Sequence, residues 1–292
     1  MTEQVFNPQH FIGRKQEQTV FQQMLKFEDA ARVLAVRDSG GKGKSQLLKQ
    51  LHHLCASAEP PVAASLIALD QLPDETPLTL VQTVVIDLLD AEIEFARYDY
   101  YEKARLHGDF ASIQSSTYLQ GSDSQHPSNA AHTEGLSAAP GEARTSIVDL
   151  SEEQDVAAQE VSLKAFFDDL RDYTADNPVV LLLDAYERCG PELRDWVERH
   201  LLAEQLPRQP HLLVVLAGRA LPQYAAWDDA QIKQYTHHIA ELTPWGRDDI
   251  AAYLDAHDYT YTDDHLQLMG RMAVQGLPAS LIVQTANAIL RR

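Results

Sequence analysis

The sequence predicts an α/β fold in which helices flank a parallel β-sheet and a smaller, entirely helical part follows. The first observation is that short β-branched or leucine-rich runs alternate with longer helical patterns as far as Leu242. The second is that only helical patterns follow, from Pro244 to the C-terminus. We therefore expect two domains, residues 1–242 and residues 243–292.

Five short apolar runs predict the strands of this sheet. In chain order they read ARVLAV, ending at Val36, then VAASLIALD, VVLLLDAYERC, HLLVVLAGR and HHIAEL. Helical patterns separate most of these runs, as the crossovers of a parallel sheet require. Between His107 and about Ile147 the chain is rich in Ser, Gly, Ala and Gln, with few large apolar residues. This composition buries too little apolar area to offset ordering, so residues 107–147 are expected to form a flexible insertion or linker.

Composition limits the possible functions. The chain has 292 residues, 45% of them hydrophobic, and 24 Lys and Arg against 43 Asp and Glu give a net charge of -19. This length and apolar content suit either one large α/β domain or one domain with a small companion. The negative charge would repel nucleic acid unless a local basic patch overcame it. No apolar run reaches the roughly 20 residues that span a bilayer, so we expect a cytoplasmic protein without membrane contact.

A glycine-rich segment, VRDSGGKGKSQLL, lies between the first predicted strand and an amphipathic helix. Gly40, Gly41 and Gly43 allow successive backbone N–H groups to converge on phosphate oxygens, and Lys44 adds a positive charge. Ser45 supplies a hydroxyl that can hold Mg²⁺. A solvated Gly/Lys turn would have a similar composition. The position between a buried strand and a helix favours a phosphate-binding loop.

Three charged residues follow two other buried strands. Asp184 ends the apolar run VVLLLD, where a carboxylate suits the coordination of Mg²⁺, and Glu187 close behind it could orient or deprotonate a water molecule. Arg219 leaves its strand after Gly218, and its guanidinium could contact a γ-phosphate. Alternatively, Asp184 caps a turn, and Glu187 and Arg219 are ordinary surface residues. The carboxyl ends of parallel strands are where such sheets bind ligands, which favours the functional interpretation.

Six segments in collinear order resemble motifs of the STAND ATPases, the signal-transduction ATPases with numerous domains that include the NB-ARC group of the AAA+ class. The segments are FIGRKQE at Phe11–Glu17, DSGGKGKS, VVLLLDAYE, VVLAGR, LTPWGRDDIAAYL, and GLP at Gly276–Pro278. The resemblance covers nearly the whole chain except residues 107–147. It implies a three-layer P-loop NTPase domain with strand order 5-1-4-3-2 and a small helical lid.

The resemblance also implies ATP or ADP with Mg²⁺ as cofactors. The expected nucleotide-binding residues are Phe11, Ile12, Gly13, Arg14, Gly40, Gly41, Lys42, Gly43, Lys44, Ser45, Gln46 and Pro278. Ser45 and Asp184 are the expected metal ligands, and Glu187 and Arg219 the expected catalytic residues. In contrast, His257 is expected to be a surface residue and Trp245 a packing residue.

Two departures from the family pattern shape the functional hypothesis. Asp38 stands where the family loop has its first glycine, and Ala185 stands where many active relatives have a second acid. We therefore expect a switch with slow ATP hydrolysis that controls assembly with a protein effector on another chain, or with further copies of itself. One alternative is a pseudo-ATPase adaptor with weak or no nucleotide turnover. The other is a DNA-associated, initiator-like ATPase, which the acidity of the chain disfavours.

Overall fold

One five-stranded parallel sheet organises the fold. The computed structural model describes residues 6–109, 111, 113, 150–275 and 277–290. The strands are β1 Val33–Arg37, β2 Ala63–Ala68, β3 Val179–Asp184, β4 Leu212–Gly218 and β5 Thr236–Ile239, and all four strand pairs are parallel. The order from one edge is β2-β3-β4-β1-β5. Read from the opposite edge it is 5-1-4-3-2. The predicted α/β class with a five-stranded parallel sheet is confirmed.

Helices connect the strands and follow the sheet. They are α1 Lys15–Met24, α2 Lys44–Ala56, α3 Pro77–Leu89, α4 Ala96–Leu106, α5 Glu152–Thr174, α6 Pro191–Trp196, α7 Asp229–Tyr235, α8 Arg247–Ala256, α9 Asp263–Val274 and α10 Ala279–Ile289. A π-helical stretch, Val197–Gln205, continues α6. Single 3₁₀ turns lie at Pro8–His10, Leu69–Gln71, Tyr186–Arg188 and Leu206–Arg208. No helix in the described part of the chain is both long enough and apolar enough to cross a membrane.

The sheet and the last three helices have separate hydrophobic cores. Every residue of β4 is buried because β3 and β1 pair with its two sides. Leu47, Leu48 and Leu51 of α2 and Phe21 of α1 belong to the sheet's core. A second core joins α8, α9 and α10 through Ile250, Leu254, Met269, Ile282 and Ala286. The C-terminal helices therefore form a packed group of their own, as the helical pattern after residue 242 suggested.

The chain divides into compact units at places that the sequence did not indicate. One unit comprises Met1–Ile93 and Arg171–Arg292, which keeps the C-terminal helices together with the sheet, and the other is Glu94–Leu170. The expected boundary between residues 242 and 243 is not a boundary between these two units. The expected insertion, residues 107–147, lies almost entirely outside the described residues.

The second unit has internal contacts of its own. The rings of Phe95 and Phe166 stack with centroids 5.4 Å apart. The Asp169 carboxylate accepts hydrogen bonds from the backbone N–H groups of Arg97 and Tyr98 at 2.9 and 3.0 Å, and it pairs with the Arg97 guanidinium at 2.8 Å. These contacts join α4 to α5 over a separation of about seventy residues, which local sequence periodicity cannot reveal.

Candidate functional site

The glycine loop, residues 38–43, leaves β1 and leads directly into α2. Gly41 and Gly43 have φ angles of +76° and +95°, a conformation that glycine adopts without strain. The ammonium group of Lys44, the first residue of α2, donates to the backbone carbonyls of Asp38 and Ser39 at 2.7 and 2.9 Å. The lysine side chain is thus folded over its own loop. It lies where it could contact an anion held by the loop.

Two cavities adjoin this loop. One has a volume of about 310 Å³ and we call it the aromatic cavity. The other has a volume of about 670 Å³ and we call it the charged cavity. Four described residues line both: Gly41, Gly43, Gln46 and Ser280. A ligand with an aromatic end and an anionic end could therefore occupy both cavities by passing over the glycine loop.

The charged cavity contains the residues that the sequence assigned to phosphate, metal and chemistry. Gly40, Gly41, Gly43, Lys44, Ser45, Gln46, Asp184, Glu187 and Arg219 all line it. Partial burial lowers the pKa of Lys44, and the carboxylates of Glu187, Asp38 and Asp184 oppose that shift. The lysine therefore keeps three acidic neighbours that stabilise its charged form.

Ser45 and Asp184 face the same cavity, one from the first turn of α2 and the other from the end of β3. A hydroxyl and a carboxylate are suitable ligands for Mg²⁺, which usually completes its shell with water and phosphate oxygens. One Asp184 oxygen accepts from the backbone N–H of Ala185 at 2.8 Å. Within the described ranges, no group of three or more His, Cys, Asp and Glu side chains could hold a metal ion alone. These residues fit Mg²⁺ that arrives with an anionic ligand.

Glu187 and Arg219 are paired with each other. One carboxylate oxygen of Glu187 accepts from the backbone N–H of Arg219 at 2.9 Å, and the other lies 3.3 Å from Arg219 Nε. The guanidinium group lies over the glycine loop, since a Cβ built on Gly40 would be 3.0 Å from Arg219 Nη2. Arg219 is thus close enough to the loop to contact its ligand. Glu187 is already engaged as a hydrogen-bond acceptor.

The aromatic cavity is lined by rings from the N-terminal segment and from α8. Phe11 and Ile12 line it as expected, together with Phe6, His10, Trp245, Tyr253 and His257. The Tyr253 ring lies 5.3 Å from that of Trp245 and 4.2 Å from that of His257, and the His10 ring lies 4.7 Å from that of His257, all between centroids. No carboxylate is among the described residues that line this cavity.

One expectation about this region was wrong. His257 is half-buried in the cavity wall instead of lying at the surface, and its Nδ1 lies 2.9 Å from the Tyr253 carbonyl. Because a carbonyl oxygen only accepts, Nδ1 is the protonated nitrogen in that contact. Trp245 packs against the helical core, as expected, and it also lines the same cavity. Local sequence carries no signal for either role, because the cavity forms only when α8 packs beside the 3₁₀ turn at Pro8–His10.

Arg14, Glu17 and Asp38 form a polar clamp around the segment that precedes α8. The buried Arg14 guanidinium donates to the Thr243 carbonyl and, at 2.5 Å, to the carbonyl of Lys42 in the glycine loop. Glu17 accepts from the Thr243 N–H at 2.6 Å, and Asp38 accepts from the Leu242 N–H at 2.9 Å. Burial lowers the pKa of Arg14, and the charges of Glu17, Asp38 and Asp249 oppose that shift.

The remaining expected residues contact the loop or support it. Lys42 lines the aromatic cavity beside Arg14. Gly13, with a φ of +75°, lies against Trp245 and Asp249, each 3.3 Å from where a Cβ on this glycine would lie. Pro278 immediately precedes α10, and its Cβ lies 3.3 Å from where a Cβ on Gly41 would lie. Gly276 lies outside the described residues. The structure therefore brings the described members of the expected site together around one loop.

No protein-family model matches this chain, and comparison with curated proteins gives no relative. The interpretation of the site therefore rests on its geometry and chemistry.

Proposed function

We propose that this protein is an ATP- and ADP-binding switch of the STAND type, with slow hydrolysis, that controls the assembly or activation of a partner protein. The observation that carries the proposal is the pair of cavities that meet at the glycine loop. Lys44, Arg219 and the loop N–H groups suit phosphates on one side, and a group of neighbouring aromatic rings suits a base on the other. The resemblance in sequence motifs points to the same ligand.

The composition of the aromatic cavity favours adenine over guanine. Guanine presents an N1–H and an exocyclic amino group on one edge, and a carboxylate is the side chain that accepts both. The polar side chains in the described lining of the cavity include histidine, asparagine, glutamine, serine, lysine and arginine but no Asp or Glu. We therefore propose ATP and ADP as the ligands and expect GTP to bind less tightly.

Mg²⁺ would be held by Ser45 and Asp184, where it would neutralise phosphate charge and polarise the bond that breaks during hydrolysis. Lys44 and Arg219 would add positive charge around the same phosphates. The bonds that Glu187 makes to Arg219 hold its carboxylate away from an independent role as a general base. Together with Ala185 after Asp184, this supports slow hydrolysis.

The same two features favour a second candidate, a pseudo-ATPase adaptor that binds nucleotide without turning it over. Single-turnover hydrolysis at saturating ATP and Mg²⁺ distinguishes the two candidates. A slow but measurable rate supports the switch, and no conversion of ATP supports the adaptor. A rate near the enzyme median of about 10 s⁻¹ contradicts both.

The central experiment measures nucleotide affinity by calorimetry for the parent chain and for Lys44→Ala. We expect micromolar binding of ATP and ADP, and a ten- to hundredfold loss, about 1.5–3 kcal/mol, when one charge-assisted contact is removed. Lys233→Ala is the matched control, because Lys233 is exposed on α7 and lines neither cavity. Equal ATP affinity in Lys44→Ala and the parent would remove the proposal.

The switch also requires a change in assembly. The effector is a protein on another chain or a further copy of this chain, so the molar mass in solution, alone and with the effector, is expected to differ between the ADP-bound and ATP-bound states. Light scattering after size-exclusion chromatography measures it. Identical assembly in both states would leave a nucleotide-binding adaptor.

A further inference from the structure

Ser280 occupies a special place between the two cavities. Of the four described residues that line both, Gly41 and Gly43 belong to the glycine loop and Gln46 belongs to α2, so Ser280 is the one contributed by the C-terminal helices. A ligand that spans the cavities must pass this point. In a nucleotide with its base in the aromatic cavity and its terminal phosphates near Lys44, the part that passes is the sugar and the first phosphates.

The position of Ser280 is fixed by contacts with the loop itself. Its backbone N–H donates to the Gly41 carbonyl at 3.3 Å. Its hydroxyl oxygen lies so close to the loop that a Cβ built on Gly41 would be 2.6 Å away. The hydroxyl makes no hydrogen bond to any described residue. The contact therefore presents an exposed hydroxyl at the junction of the cavities.

We infer that the Ser280 hydroxyl donates a hydrogen bond to the phosphate chain of the bound nucleotide, so that the C-terminal helices contact the phosphates directly. This rests on the proposed function and assigns to it a further specificity-determining residue. A hydroxyl suits this role because it donates to an anionic oxygen without adding charge to a cavity that already contains Lys44 and Arg219. Ser280 then favours nucleoside di- and triphosphates over the nucleoside alone.

The test compares ADP with adenosine, which has the same base and sugar but no phosphate. In Ser280→Ala we expect ADP affinity to fall about tenfold, the loss of one hydrogen bond to a charged group, while adenosine affinity stays unchanged. Ser280→Thr keeps the hydroxyl and is expected to retain most of the ADP affinity. Thr285→Ala is the control, because the Thr285 hydroxyl on the same helix donates to the Leu281 carbonyl instead.

Each outcome of this test is informative. Unchanged ADP affinity in Ser280→Ala overturns the inference, as does an equal loss for adenosine, which would indicate a general disturbance of the cavity. A loss in Ser280→Thr as large as in Ser280→Ala also overturns it. If the parent chain binds neither ATP nor ADP, the proposed function fails and the inference falls with it. A parent that binds ADP with an unaffected Ser280→Ala variant refutes the inference alone.

Discussion

Two of the contacts that the C-terminal part of the chain makes around the glycine loop differ in strength. At the start, the carboxylates of Asp38 and Glu17 accept hydrogen bonds from the backbone N–H groups of Leu242 and Thr243. The buried guanidinium of Arg14 donates to the Thr243 carbonyl. At the far end, Ser280 reaches Gly41 through one backbone hydrogen bond of 3.3 Å. The first contact is a buried, charge-assisted network and the second is a single exposed bond.

This difference indicates which end of the helical group is able to move. Separating Ser280 from Gly41 costs one long hydrogen bond. Separating Thr243 from the clamp would leave the buried Glu17 carboxylate without its backbone donor and would remove one of the two carbonyls that Arg14 contacts. We therefore expect the start of the group to act as a fixed point and the end near α10 to respond to a ligand on the loop. A nucleotide would then change the contact at Ser280 while the clamp stays closed.

The largest effect is expected from removing the centre of the clamp. Arg14→Ala deletes two donors to backbone carbonyls and leaves the buried Glu17 without its nearby positive charge, so the free energy of unfolding should fall by about 3–5 kcal/mol. Urea denaturation without nucleotide measures it. Arg247→Ala is the control, because Arg247 and its partner Asp263 are both exposed and such pairs contribute about 1 kcal/mol or less. Equal midpoints for the two variants would show that the clamp is not the stronger contact.

Asp38 provides a sharper comparison, because charge and hydrogen bonding can be separated there. Asp38→Asn keeps an oxygen that can accept from the Leu242 N–H, whereas Asp38→Gly removes it and should cost about 1–3 kcal/mol more in unfolding free energy. Both changes remove a negative charge near Lys44, so both should tighten ADP binding, by about fivefold. Parallel denaturation and calorimetry separate these effects. If Asp38→Asn lowered the free energy of unfolding as much as Asp38→Gly, the hydrogen bond to Leu242 would not be the reason for the loss of stability.

The smallest expected effect is a local change in hydrogen exchange when ADP binds. Exchange of backbone amides near the start of α10 should slow by about tenfold because the nucleotide adds contacts there. The Leu242 and Thr243 amides are already bonded to carboxylates and should exchange slowly with or without ADP. Mass-spectrometric exchange on the parent chain tests this. A slowing at residues 242–243 as large as that at 279–283 would contradict the fixed-point interpretation.

Local sequence patterns predicted the parts of the site that adjoin buried strands. Lys44, Asp184 and Arg219 follow β1, β3 and β4 closely, and parallel strands bring their carboxyl ends to one edge. Periodicity and the order of motifs were therefore sufficient to place the charged cavity. Phe11 and Ile12, in contrast, were predicted only from the family resemblance and not from periodicity.

Contacts between distant segments could not be predicted in this way. In the sequence, Asp38 stands out only as a replacement for a family glycine, yet its carboxylate accepts a hydrogen bond from the backbone of a residue 204 positions later. His257 and Ser280 became part of the cavities because α8 and α10 pack beside segments more than two hundred residues earlier. Neither hydrophobic periodicity nor motif spacing reports such pairings. Their residue types are also common on exposed helices.

The close approach of Ser280 to Gly41 has a practical consequence. A methyl group at position 41 would meet the serine oxygen at 2.6 Å and would also place alanine at a φ of +76°, which costs roughly 1–2 kcal/mol. The serine hydroxyl can rotate away from such a methyl group, but Pro278 Cβ would still lie 3.3 Å from it, so Gly41→Ala would crowd the contact between the loop and the start of α10. Glycine at position 41 is thus what allows the tip of α10 to lie directly on the loop.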